Sequence, residues 1–276
     1  MSRLPKAHIN PLEIYYRETV EDFELKSHFH NSHEIICIVE GKVNIKINER
    51  TYEINKNSLV FISNLESHEI KVLEYPYKRY FILIKPDYLQ CLINDPVLAS
   101  ILKHRPDCFN HVISLDSGSS PEIMKIIQSM NEEVLNRKDF WEETLGSQLH
   151  ILLVMLYRNY RNLFPLSMQD NASRILEVQK YIEEHYLEQI SLKETARKFY
   201  MDMYYLSHTF KKVTGYTFRD YLTLQRISKA RDLLFYTSED ITRIGLNSGF
   251  HNVNHFIRIF KKFEGITPYQ YRKKYR

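Results

Sequence analysis

The chain has 276 residues, 43% hydrophobic and 26% charged, with a formal net charge of +4. These values exclude a disordered or fibrous chain and suit two soluble domains, each able to bury its own core. Cys37, Cys91 and Cys108 are odd in number and form no C-x-x-C pair, which argues against a disulfide framework and for a reducing cytoplasm. The polar N-terminus lacks a signal-peptide run, and the longest apolar run, Ile151 to Tyr157, is too short to span a membrane, so no membrane partner is expected.

Residues 1 to about 115 read as strands. Ile35 to Val39 is a β-rich run ending near Gly41, and Val43, Ile45 and Ile47 alternate with Asn44, Lys46 and Asn48 as in a half-buried strand. Asn48 to Arg50 and Asn55 to Ser58 are turn clusters, and Leu59 to Ile62 and Tyr80 to Ile84 are further strands. Short strands at close spacing predict a small barrel or jelly roll. His28, His30, Glu34 and His68 form a constellation within it. Imidazoles two apart on a strand point the same way, and a nearby carboxylate with one more imidazole completes a donor set suited to a divalent metal. The pattern resembles the first cupin motif, H-x-H-x(3)-E-x(6)-G, ending at Gly41. The second motif is poorly kept, with Asn57, Ser63 and Leu65 at its glycine and proline positions and only His68 retained. His33 reads as a loop or surface residue.

Two helices follow. Ile123, Ile127, Met130 and Val134 make one stripe; Leu145, Leu149, Leu152 and Leu156 make another after Trp141. The leucines either pack on the barrel or form a seam of coiled-coil spacing between two copies. Residues 166–173 are the expected linker, dividing domain 1–165 from domain 174–276. A helix near Arg174 with Ile175, Val178 and Ile182 on one face opens the second domain.

The second domain says one thing twice. Phe210-Lys211-Lys212-Val213-Thr214-Gly215 returns as Phe260-Lys261-Lys262-Phe263-Glu264-Gly265, and Tyr221 returns as Tyr271, so one unit is used twice. Ser191 with Glu194, and Asp202, start helices; Gly215 and Gly265 end them. Leu206, Phe210 and Val213 line a buried face in the first copy, and Phe256, Ile259, Phe260 and Phe263 in the second. The opposite faces carry Tyr204, Ser207, His208 and Lys211, then Asn254, Ile257, Arg258 and Lys261. A helix from Phe218 to Leu234 joins the pairs. Residues 172–276 hold 19 Lys+Arg against 11 Asp+Glu, or +8, leaving 19 against 23, or −4, for residues 1–171. The basic part is therefore the repeated part, as contact with a phosphate backbone requires.

From about Ile190 onward the chain resembles the AraC/XylS family of bacterial transcription regulators. The resemblance rests on Ser191, Leu192, Ala196, Leu206, Phe210-Lys211-Lys212, Gly215, Tyr221, Arg226, Ala230, Leu233-Leu234, Gly249-Phe250, Phe256, Phe260-Lys261-Lys262, Gly265, Thr267-Pro268 and Tyr271-Arg272. Gly245 departs from it, standing where the family has a helical alanine, at a cost of about 1 kcal/mol to that helix. The resemblance implies an α+β protein: a cupin-like effector-binding and dimerisation barrel, and an all-α DNA-binding domain with two helix-turn-helix motifs. It implies base contacts by Tyr204, Ser207, His208, Asn254 and Arg258, with Val253 and Ile257 as apolar contacts and Lys211 and Lys261 facing phosphates. It also implies an effector pocket at His28, His30, Glu34 and His68, without metal, cofactor or catalytic residues. Expected partners are double-stranded promoter DNA, a small-molecule effector, a second copy of the chain and RNA polymerase. The alternative is a metal-dependent cupin enzyme with a DNA-binding appendage.

Overall fold

The computed structural model describes residues 10–21, 23–106, 108–165 and 173–275, the last span excluding the Ser173 side chain. The chain divides into two compact units, Met1–Asp170 and Asn171–Arg276. The expected linker lies outside the described residues, apart from the backbone at position 173.

Unit 1 has strands β1 (Leu12–Thr19), β2 (Glu24–His28), β3 (His33–Ile47), β4 (Arg50–Ile54), β5 (Ser58–Ile62), β6 (His68–Ile84) and β7 (Val112–Ser114). Its helices are α1 (Pro86–Leu92), α2 (Pro96–Lys103), α3 (Ser120–Asn136) and α4 (Trp141–Asn159). All pairings are antiparallel, in the order β1-β6-β3-β5-β7, with β2 on β6 and β4 on β3. The long strands β3 and β6 share a ladder that shifts register around Gly41. Gly41 has φ +90°, and a Cβ there would sit 2.7 Å from the carbonyl oxygens of both Glu74 and Pro76. Only glycine permits that approach.

The pleat sends alternate β3 residues to different cores. Ile36, Ile38, Val43, Ile45 and Ile47 join Val60, Ile62, Ile70 and Val72 in one. Ile35 and Cys37 join Leu59, Phe61, Ile82 and Ile84 in the other, which α3 covers with Ile123, Ile127 and Met130 and α4 with Leu145, Leu149, Leu152 and Leu156. The leucine stripe is thus spent inside unit 1, and the reading of it as an intersubunit seam is corrected. Along the shared ladder Glu34 pairs with Leu83 and His68 with Ile47, yet their side chains stand 3.3 Å apart. The sheet must be rolled for its two ends to meet.

His33 is not a surface residue: it opens β3 on the helix-covered side at 0% exposure, and its Nδ1 accepts a bond from the Asn64 amide at 3.2 Å. Burial, aided by Lys103 and Arg105, holds its pKa well below the ordinary value. Nearby, Glu66 is 3% exposed. Its Oε2 accepts from Arg105 Nε at 2.9 Å and the Ser63 amide at 2.7 Å, and its Oε1 lies 3.2 Å from His111 Nε2.

Unit 2 contains α5 (Ser173–His185), α6 (Leu192–Lys198), α7 (Met203–Thr214), α8 (Phe218–Tyr236), α9 (Ile241–Asn247), α10 (Val253–Glu264) and α11 (Pro268–Tyr275). The caps are those the sequence announces: Ser191 accepts from the Glu194 amide, Asp202 from those of Tyr204 and Tyr205, and Gly215 and Gly265 are left-handed at φ +79° and +73°. Helix α8 packs on α5, α7, α9 and α11. In each copy a buried Phe meets a buried Tyr edge-on: Phe210 with Tyr221 at 5.7 Å between ring centroids, and Phe260 with Tyr271 at 5.4 Å. The tyrosine hydroxyls are held too, Tyr221 donating to Glu183 Oε1 at 2.6 Å and Tyr271 accepting from Arg231 Nε at 3.1 Å.

The copies are not wholly in phase. Helices α7 and α10 start 50 residues apart (203 to 253), but α6 and α9 only 49 (192 to 241), so the second turn is one residue longer. By this offset Gly245 corresponds to Ala196, and Phe256 to Leu206. A Cβ on Gly245 would lie 2.9 Å from Cδ1 of Phe256, a buried ring with nowhere to go. The glycine is the complement of the larger side chain.

Two outcomes follow. Gly245→Ala, which helix propensity alone would make stabilising by about 1 kcal/mol, instead lowers the thermal midpoint, and Gly245→Ala with Phe256→Leu recovers most of the loss; additive effects in that cycle would refute the packing account. Burial raises the Glu66 pKa, but Arg105 and His111 outweigh it and bring it from 4.5 to about 2. Its charge therefore stabilises the fold above pH 4.5, and that contribution fades as pH falls toward about 2. Glu66→Gln costs about 3–5 kcal/mol at neutral pH by stranding Arg105, and in urea titrations the gap to wild type narrows across that acid window.

Candidate functional site

Two places carry the chemistry, one in each unit. In unit 1, His28 ends β2, His30 lies in the β2–β3 connection rather than on a strand, Glu34 is near the start of β3, and His68 opens β6. The rolled sheet brings all four together. Ring centroids of His28 and His68 are 4.2 Å apart, His30 and His68 5.1 Å, and His28 and His30 5.9 Å. Glu34 Oε2 is 3.1 Å from His30 Nε2 and 3.3 Å from His68 Nε2. Burial pushes the Glu34 carboxyl up, but the hydrogen bonds of His30 and His68 outweigh it and hold it well below the usual range. Burial also pushes His68 down, and its bond and charge contact with Glu34 reverse that into a net rise. His28, whose contacts with burial and two imidazoles all disfavour charge, falls to about 2. His28 and His30 keep part of their surface in solvent, whereas Glu34 and His68 are buried.

Sequence spacing did not announce Arg79. It shares a face of β6 with Tyr77 and Phe81, is 3% exposed, and its guanidinium lies 4.2 Å from the Tyr77 ring, 5.0 Å from Phe23 and 5.2 Å from Phe81. It donates to Thr19 Oγ1 at 2.6 Å. Among the described residues no carboxylate forms an ion pair with it.

In unit 2, α7 and α10 each bury one face and offer the other. Leu206, Phe210 and Val213 are buried in α7; Tyr204, at 77% exposure, with Ser207, His208 and Lys211 faces solvent. In α10, Phe256 and Phe260 are buried while Ile259 and Phe263 are half-buried; Asn254, Arg258 and Lys261 are exposed, and Val253 and Ile257 half-exposed. A groove of about 560 Å³ joins the copies. Its walls include Ser207 of α7, Arg219 and Thr223 of α8, and His251, Asn252 and His255 of the second turn and α10. Arg219 and His251 were not singled out by periodicity, because the turn and the start of α8 have no repeating face to read, and His255, in the first turn of α10, lies between its buried and exposed faces.

Asn and Arg side chains can pair bidentately with adenine and guanine edges, and exposed lysines at the C-terminal turns of α7 and α10 suit phosphate contact. Unit 1, by contrast, encloses polar side chains within a rolled sheet, the usual setting for a small ligand.

Comparison with known proteins agrees with this division. Residues 10–150 match the model of the AraC-like ligand binding domain, and residues 195–274 match that of a helix-turn-helix domain. Relatives include the HTH-type transcriptional activator RhaS of Enterobacter sp. (strain 638), 24% identical over 249 residues covering 89% of this chain and 87% of the relative. RhaS of Klebsiella pneumoniae (strain 342) is 25% identical over 259 residues, covering 87% and 85%. Among solved structures, apo ToxT from Vibrio cholerae superposes with a TM-score of 0.59 at 14% identity, covering 97% of this chain and 98% of that one. ToxT bound to an unsaturated fatty acid gives 0.55 at 15%, covering 95% and 94%. The ligand-binding model spans more than half of the sequence, the helix-turn-helix model accounts for most of the rest, and the chain belongs to the AraC/XylS family of transcription regulators, which bind DNA under the control of a small-molecule effector.

Proposed function

We propose that α7 and α10 read successive major-groove faces of promoter DNA, and that His28, His30, Glu34 and His68 line the effector pocket whose occupancy alters operator affinity. The observation that carries the first part is the clean division of both helices: aromatic and aliphatic side chains lock one face into unit 2, leaving Tyr204, Ser207, His208, Asn254 and Arg258 outward. Val253 and Ile257 supply apolar contacts, and Lys211 and Lys261 meet phosphates. Arg219 and His251 extend the basic lining between the copies. The effector part rests on a buried carboxylate and imidazole set beside two partly buried histidines.

Activation is the favoured direction, since the relatives are named activators, with RNA polymerase as the further partner. Homodimerisation belongs to the same proposal, through a surface other than the α4 leucine stripe. We place this action in the cytoplasm: Cys37, Cys91 and Cys108 are free thiols, and no helix among the described residues is long and apolar enough to cross a membrane.

Arg258→Ala is expected to lose about 1–3 kcal/mol of discrimination at one base pair, whereas Lys261→Ala weakens specific and random DNA alike and flattens the salt dependence. Binding titrations on an operator and on single-base variants check this. Equal weakening by Arg258→Ala on operator and random DNA removes the base-reading role. A metabolite panel read by thermal shift and by operator affinity tests the coupling; a ligand that binds without changing operator affinity counts against it.

A further inference from the structure

Each histidine of the barrel cluster sets Nδ1 against a backbone carbonyl: His28 on Lys26 at 3.1 Å, His30 on Ser32 at 3.0 Å, His68 on Glu66 at 3.0 Å. A carbonyl oxygen only accepts, so Nδ1 carries a proton in all three rings, and Nε2 is the nitrogen left to present a lone pair. The Nε2 atoms of His30 and His68 both approach one oxygen, Glu34 Oε2, at 3.1 and 3.3 Å, and an ionised carboxylate also only accepts. Neutral rings would oppose lone pair to lone pair. Two protonated rings would relieve that only by placing like charges 5.1 Å apart between centroids, with a third ring 4.2 Å from His68. One divalent cation among these lone pairs resolves both conflicts.

We infer that this cluster binds a divalent first-row transition ion of the zinc, cobalt or nickel type, through Nε2 of His28, His30 and His68 and Oε2 of Glu34. One ring nitrogen from each histidine lies within 4.8 Å of the others. The 3.1 and 3.3 Å separations around Glu34 match the roughly 3.3 Å between two ligands that each stand about 2.0–2.1 Å from a tetrahedral ion. Imidazole nitrogens select these metals over calcium or magnesium. The carbonyls of Lys26, Ser32 and Glu66 fix tautomer and ring orientation, as outer partners of metal-bound histidines do. His28 and His30 keep part of their surface in solvent and give the ion a way in. The inference rests on the pocket reading above and names what those four side chains hold.

The test uses the full chain, stripped with chelator, dialysed, and titrated with Zn²⁺ by calorimetry and with Co²⁺ by visible absorption. One ion per chain, ligand-field bands from Co²⁺, and a thermal shift reversed by EDTA are expected. His28→Ala, at the rim, weakens affinity at least tenfold, on the scale of losing a ligand or its support. Glu34→Gln is the second variant and alters the Co²⁺ spectrum, while His150→Ala, on the exposed side of α4, changes neither. No uptake by wild type, or equal uptake by wild type, His28→Ala and Glu34→Gln, overturns the inference. Operator binding is measured on the same metal-free sample: specific binding without metal uptake in any arm sinks this inference alone, whereas loss of sequence preference in metal-loaded and metal-free chain alike sinks the regulator reading alone.

Discussion

Glu34 and His68 come from opposite ends of one ladder, and only a rolled sheet lets their side chains meet at 3.3 Å. The roll depends on β3 and β6 shifting register at Gly41, where backbone crosses backbone too closely for any Cβ. It depends equally on two separate cores. One is aliphatic and enclosed by the sheet; the other is shared with α3 and α4. With both faces of β3 buried, a one-residue slip would exchange the two sets of side chains and carry Glu34 away from His30 and His68. The position of the polar cluster is therefore a by-product of aliphatic packing several residues away.

Unit 2 solves a different problem, that of holding two similar modules at fixed orientation. It does so with one long helix, α8, and with a Phe–Tyr contact made twice. Each tyrosine hydroxyl is tied to a charged partner, Glu183 in one copy and Arg231 in the other, so the rings are fixed at both ends. Because the buried faces settle orientation, the outward faces of α7 and α10 are released from any structural duty. Tyr204 and His208 on one, and Asn254 and Arg258 on the other, differ freely while their supports repeat.

Much of this is legible in the sequence. The repeat, its caps and its stripes are local patterns, and each was found where the spacing put it. The meeting of His28, His30, Glu34 and His68 was legible too, through the motif around the first three, although His30 proved to lie off the strand. What escaped was long-range. Glu66 meets Arg105 across 39 residues and His111 across 45, separations that leave no periodic trace. His33 sits among Asn31 and Ser32 and so looked like loop, yet the pleat begins with it. The leucine stripe of α4 told truly that one face is buried but could not say what covers it. Gly245 seemed a defect in a helix until Phe256 supplied its reason.

Glu66 serves two masters. Its main-chain oxygen steadies the His68 ring, while its carboxylate is clamped by Arg105, which also donates to the carbonyls of Ile101 and His104. The polar cluster is thereby bolted to the framework around α2, and the loop that carries His30 is tied to the same segment, the His30 carbonyl accepting from the Leu65 amide at 2.9 Å and Asn31 Oδ1 from Asn64 Nδ2 at 3.1 Å. Any displacement of the segment around Glu66 would therefore move the His68 ring and the His30 backbone together.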